Sequence, residues 1–210
     1  MYRWLVVLLA LLVASCQSAN QGAALQADHP GLGPLAQRVE ASRVALLDAA
    51  QQFQSAGEQL GTLAVVNDSS VQSAIAATQQ QYDDAIEAAA AVGAANAGVE
   101  EAADTVFRQW QIEAGVFTDP RLKADSQAKL SQAWQGYQNL SQVQRQALAA
   151  MDPVLAQMNR TVSALNANPT AGTVASLAPD VNALQGAING VVRNLQSAAE
   201  ASGTFLSSIE

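Results

Sequence analysis

The side chains able to do chemistry are few. Asp83-Asp84 and Glu100-Glu101 are adjacent carboxylates, the groups that serve general acid–base catalysis. On a helix, neighbours in sequence point about 100° apart. Neither pair can therefore converge on one substrate atom, and no base stands at a one-face spacing from either. They read as solvated faces. The one histidine, His29, has no carboxylate or thiol cluster near it. No Ser-His-Asp arrangement, metal-ligand set or phosphate loop emerges. Trp110 and Trp134 flank a turn at 118–121 and could form a ligand platform, with Tyr137 and Met158 as further lining. Their places on helical apolar seams favour core packing instead. Catalytic residues, cofactor and metal are all assigned as none, and the chain reads as non-enzymatic.

The remaining reactive group is Cys16, the only cysteine. A catalytic thiol needs a base or an electropositive setting, and "QSANQGAALQ" after it supplies neither. Without a second cysteine there is no intramolecular disulfide. Its position is more telling. Arg3 precedes an unbroken apolar run from Trp4 to Ala14, too short to span a bilayer, which takes about 20 residues. A basic start, a short apolar core and small residues at its end mark a secretory signal. Val13-Ala14-Ser15-Cys16 resembles the bacterial lipoprotein signal, an aliphatic residue and two small ones before a cysteine. That resemblance implies a diacylglycerol on the Cys16 thiol, cleavage before it, and acylation (palmitate-class chains) of the new amine. Two or three acyl chains anchor stably where one does so only marginally. Gln17, rather than Asp, follows the cysteine and resembles the sorting signal for the outer membrane. Residues 1–15 are thus expected to be a lipoprotein signal peptide. Residues 16–34, small and polar and ending in "HPGLGP", are expected to be a flexible tether containing His29.

Composition narrows the partners. The 210 residues carry 10 Lys+Arg and 18 Asp+Glu, a net charge of −8. That balance lacks the basic footprint of phosphate-backbone binding, so no nucleic-acid partner is expected. Charged residues are 13% of the chain, about half the usual share of roughly 25%, and aromatic residues only 5%. Long Ala-rich segments with few rings indicate helices packed closely side by side.

Four segments show heptad-like spacing, alternating three and four. The first seam runs Leu35, Val39, Ser42, Leu46, Ala49, Phe53, Ala56, Leu60, Leu63, with Ser42 its one break. "NDSS" at 67–70 supplies turn and capping chemistry. The second seam runs Val71, Ile75, Thr78, Tyr82, Ala85, Ala89, Val92, Asn96, Val99, Ala103, Val106, Trp110. Asn96 there is a candidate register-fixing residue, and Gly93 and Gly98 are candidates for close helix approach. "TDPR" at 118–121 is a turn with Asp119 as cap and Pro120 in the first helical position. The third segment is looser: Leu122, Leu130, Trp134, Tyr137, Leu140, Leu148, Met151, Leu155, Met158, Val162, Leu165. Pro153 inside it predicts a kink or a restarted helix capped by Asp152. After "NANPTAG", the last seam runs Val174, Leu177, Val181, Leu184, Ile188, Val191, Leu195, Ala198, Ser202, Phe205, Ile209, with Pro179 marking its start or a bend. No stretch shows strand alternation. The prediction is all-α: residues 35–210 form an elongated antiparallel four-helix bundle, a coiled-coil helical hairpin of about 70 Å flanked by the first and last helices.

"RVEASRVALLDAAQQFQSAGEQL" (38–60), "VFRQW" (106–110) and "AMDPVLAQMN" (150–159) resemble segments of a family of uncharacterised Gram-negative bacterial lipoproteins with a helical, coiled domain of unknown function. The resemblance covers nearly the whole mature chain, although this sequence is Ala- and Gln-rich where those relatives are densely charged. It implies fold and anchoring and transfers no active site. The expected function is a structural or adaptor lipoprotein of the bacterial envelope. It would be held by the lipid on Cys16 at the outer membrane, facing the periplasm, and would meet a protein partner or a second copy through its helices. The alternative expectation is a ligand-binding or sensory bundle.

Overall fold

Breakers in the sequence set the ends of the helices. The computed structural model describes residues 32–209; the leader, Cys16 and His29 lie outside the described residues. The elements are α1 (Leu32–Thr62), a 3-10 turn (Leu63–Val65), α2 (Val71–Val116), α3 (Pro120–Ala167), α4 (Ala171–Ser176) and α5 (Ala178–Ile209). No strand occurs among the described residues.

Each connection carries its own capping chemistry. Asn67 Oδ1 accepts from the backbone N–H groups of Ser69 and Ser70 at 3.1 and 3.2 Å. Asp119 Oδ1 accepts from those of Arg121 and Leu122 at 2.8 and 3.4 Å, with Pro120 opening α3. Thr170 Oγ1 caps α4 through Thr173 N–H at 3.1 Å. Asp68 Oδ1 accepts from Ala171 N–H at 3.2 Å, which ties the α1–α2 and α3–α4 connections together.

Three boundaries differ from the sequence expectation. Residues 32–34, placed in the tether, form the first turn of α1. Pro34 sits where its missing N–H has no intrahelical partner to lose, and Leu32 is fully buried. Second, α3 is continuous through Pro153 and is not restarted at Asp152. Pro153 and Ala149, whose carbonyl loses its N–H partner, are both exposed, so water can serve that carbonyl. Third, the last segment is two helices, α4 and α5, separated at Leu177. Pro179 cannot donate to Ala175, and the Leu177 N–H closes that turn on Thr173 and Val174 instead.

The helices run up, down, up and down. α1 packs chiefly on α2 and α5, and α3 on the same two, so α1 and α3 face each other across the bundle axis. α2 and α3, at 46 and 48 residues, reach about 70 Å. α1 and α5, at 31 and 32 residues, reach about 47 Å. Register decides where the surplus goes. Ser42 bonds Asn96, Arg38 lies beside Gly98, and Gly136 lies against Phe205. Counting outward from these contacts, α2 and α3 continue about ten residues, or ~15 Å, past Leu32 and Ile209. That end is a two-helix projection.

Two buried clusters make up the core. The larger runs from Leu46 to Leu63, Val71 to Val92, Ala147 to Leu165 and Val174 to Ala199. The smaller gathers Leu32, Leu35 and Val39 with Val99 to Ala114, Ala133 to Leu140 and Phe205 to Ile209. Between them each long helix contributes polar residues.

Close approach occurs at other glycines than those expected. A Cβ on Gly57 would stand 3.3 Å from Ile188 Cγ2, and one on Gly136 3.3 Å from Phe205 Cδ2. On Gly93 and Gly98 it would meet only Leu148 at 3.8 Å and Arg38 at 3.7 Å, ordinary contacts. Gly93→Ala and Gly98→Ala should therefore each raise the unfolding free energy by about 0.5–1 kcal/mol. The check is a higher urea midpoint at unchanged slope; a lower midpoint in either would show a close approach there in solution.

Candidate functional site

The gap between the two clusters is a polar layer. Gln144 Nε2, on α3, donates to Ser42 Oγ on α1 at 2.9 Å, across the bundle axis. Ser42 Oγ donates to Asn96 Oδ1 on α2 at 2.8 Å. Ser202 of α5, fully buried at the same gap, turns its hydroxyl back to the Ala198 carbonyl at 2.9 Å. Asn96 Nδ2 is buried with no hydrogen-bond partner among the described residues. Such an orphan donor costs about 1–3 kcal/mol. Ser42 is the polar break of the first seam and Asn96 one of two in the second, with Thr78, and the fold brings Ser42 and Asn96 together. Gln144 is absent from the predicted seam because nothing in its type distinguishes it from the many exposed glutamines.

One groove lies where four helices thin to two. It has a volume of about 430 Å³, between α2 and α3, and is lined by Phe107, Gln111, Ala114, Leu130 and Trp134. Phe107 meets Trp134 edge to face, ring centroids 5.0 Å apart at 83°, and Tyr137 packs against both at 5.6 and 5.5 Å. Trp134 is part exposed on this groove, whereas Tyr137 is buried behind it. Burial pushes the Tyr137 phenol above its ordinary range, partly offset by its hydrogen bond with Ser141, so at neutral pH it packs as an uncharged group. Asp104 and Arg108 also line the groove and pair with each other at 3.1 Å.

The other sequence candidates separate. Trp110 is buried and donates through Nε1 to Ser126 Oγ at 3.0 Å, a core tryptophan with a satisfied polar edge. Met158 belongs to the larger cluster, not to the groove. Asp83 and Asp84 accept from Gln79 and Gln80, one turn earlier, at 2.9 and 2.7 Å. Glu100 faces Arg145 at 3.6 Å. No group of three or more potential metal ligands forms among the described residues. Cys16, the expected lipid attachment site, lies outside the described residues. Sequence reasoning missed Phe107 and Leu130 as neighbours of Trp134. It also missed the apolar side chains that stay exposed around the α2–α3 connection: Ile112, Val116, Phe117 and Leu122. Their signal was present, since Val116-Phe117 directly precede the "TDP" turn, beyond Trp110, the last residue of the second seam.

The layer makes a quantitative demand. Ser42→Ala leaves both Gln144 Nε2 and Asn96 Oδ1 without their partner and should destabilise by about 1–3 kcal/mol. Asn96→Ala breaks the same network. Ser42→Ala/Asn96→Ala should therefore cost less than the two single changes together, by about 0.5 kcal/mol or more. Strict additivity in chemical denaturation would show that the layer does not act as one unit.

Comparison with known proteins adds a family and no activity. No curated protein matches the chain. Residues 33–209, which take in the bundle from the first turn of α1 to the end of α5, match the DUF2959 family of proteins of unknown function, and the chain belongs to that family.

Proposed function

We propose that the protein is a lipid-anchored, non-enzymatic adaptor of the bacterial envelope, held by acyl chains on Cys16 at the periplasmic face of the outer membrane and engaging a protein partner through its helices. The observation that carries the reading is the placement of the rod. Its first helix begins sixteen residues after Cys16 and leads away from that end, and α2, about 70 Å long, runs back past it. A tethered rod of that length offers long helical faces at a distance from its anchor. Val44 and Leu47 on α1 and Ile86 on α2 are exposed apolar side chains on those faces. No described helix is long and apolar enough to cross a membrane, so the proposed attachment is the lipid.

Cys16→Ser tests the anchor. The wild type should have the mass of a chain starting at residue 16 plus its acyl groups, and the variant should lose both acylation and processing at that site. A mature wild type with a free Cys16 thiol in the soluble periplasmic fraction would contradict the reading. Cross-linking in cells should trap an envelope protein or a second copy, and recovery as an uncross-linked monomer throughout would count against the adaptor role.

A second reading, a ligand-binding bundle, is supported by the groove beside Trp134, since sites in bundles form between facing helices and have volumes of several hundred Å³. An apolar ligand held there should quench Trp134 emission saturably, and Leu130→Asp should abolish the effect. Quenching that survives this change would place the ligand elsewhere.

A further inference from the structure

The α2–α3 projection is unlike the rest of the surface. Within the stretch 112–122, Ile112, Val116, Phe117 and Leu122 are 64%, 74%, 42% and 56% exposed. They surround a connection of three residues, 117–119. The tip is closed and well capped: Asp119 caps α3, and Lys123 Nζ donates back to the Gly115 carbonyl at 3.2 Å. Its apolar side chains are thus held out on a formed hairpin, and neither helix end needs them for its own hydrogen bonds. Charge also departs from the body of the protein. The chain is −8 overall, yet between 108 and 129 four basic side chains stand against three acidic ones, and both lysines of the chain, Lys123 and Lys129, are here.

The position of the tip says what it meets. Leu32 and Ile209 pack in the same cluster as Val106, Phe107 and Ala114, so the described chain begins at the end from which the hairpin projects. The projection extends about 15 Å beyond Leu32. Sixteen residues, Cys16 to Gly31, precede Leu32, and a chain of that length can span at most about 55 Å. The tip and the acylated residue can therefore reach one plane without stretching the chain between them.

We propose that the α2–α3 tip is a second membrane contact, with Val116, Phe117 and Leu122 entering the headgroup and upper acyl region of the bilayer and Arg121 and Lys123 lying at its anionic surface. This follows the logic by which one apolar insertion and a few basic groups supplement a lipid anchor. The tip contact holds the rod upright, with the distal connections at 63–70 and 168–177 farthest from the bilayer. The proposal rests on the lipid-anchor reading, and the two fail in different ways.

The test uses the full acylated protein, extracted from membranes and reconstituted into phosphatidylethanolamine/phosphatidylglycerol vesicles containing some brominated acyl chains. Phe117→Cys carries a thiol-linked fluorophore, and Val65→Cys, on an 83% exposed distal side chain, carries it as the control. An acylated Cys16 leaves only the introduced thiol to label. Co-sedimentation with vesicles reports the anchor, and quenching by bromine reports the tip. The proposal expects co-sedimentation of both proteins with quenching at 117 and none at 65. It also expects loss of quenching when Val116→Asp is added, with co-sedimentation retained. Co-sedimentation without quenching at 117 overturns the tip contact and leaves the anchor standing. A probe at 117 shielded from aqueous iodide but not quenched by bromine would place a protein surface there and overturns it equally. A chain that labels at Cys16 and stays in the supernatant overturns both.

Discussion

A hydrogen-bonded bridge across the bundle axis holds the fold to one register. The seams of α1, α2 and α5 are made mostly of Ala, Val, Leu and Ile at heptad spacing, with Phe53, Trp110 and Phe205 among them. Sliding one helix by seven residues would bring similar side chains back into contact at small cost. The layer of Ser42, Asn96 and Gln144 removes that freedom, because a slipped helix would bury three unpaired polar groups against hydrocarbon. Its hydrogen bonds span α1, α2 and α3, with Ser202 of α5 in the same gap between the two core clusters. Asn96 Nδ2 is buried without a hydrogen-bond partner among the described residues, a cost that an apolar side chain would not carry. A group placed for stability alone would be better apolar, whereas one placed for specificity can carry such a cost.

Register then fixes everything outside the core. With Ser42 opposite Asn96, α1 starts well short of the end of α2, and α5 ends well short of the start of α3. Hence the unequal lengths of the helices all appear at one end, as a two-helix projection. The groove beside Trp134 sits at the step where α1 and α5 stop, because Phe107 and Trp134 lose the neighbours that cover seam residues farther down. The opposite end is closed by the short α4 and by the bond from Asp68 to Ala171. One end is blunt and the other tapered, with Ile112, Val116, Phe117 and Leu122 exposed around its tip, which gives the rod a direction.

Much of this was legible in the amino-acid order. The first, second and last seams list side chains that are buried in the fold, apart from Tyr82, Ala89 and Leu177, which are partly so. They were readable because large apolar residues recur at heptad spacing with small ones between them. The third was not. Its core positions include Ala133, Ser141, Gln144 and Ala147, while Leu122 and Trp134 remain exposed and Leu148 and Leu155 flank the core. In a sequence so rich in Ala and Gln, side-chain type carries little information on facing, and only the partners on α1 and α2 decide it. Close approach failed to read for a related reason. Gly93 and Gly98 attract notice as a pair, but contact depends on what the neighbouring helix presents, and the large side chains Ile188 and Phe205 stand over Gly57 and Gly136 instead. Of the candidate site, Trp134 was identifiable and its groove was not, since the groove exists only through the mismatch in helix length.

The claim on which the rest depends is that the polar layer selects the register, and distances between spin labels measure it directly. Asp48 on α1 and Asp84 on α2 line one groove in the packed bundle and are suitable label positions. In the wild-type background their distance distribution should be single and narrow. With Ser42, Asn96 and Gln144 all replaced by Ala or Leu, it should split into distinct populations, because helices slipped along the axis by one heptad, about 10 Å, hold the labels at a different separation. A distribution that stays single and unmoved in the apolar variant would show that hydrocarbon packing alone sets the register, and would contradict the account.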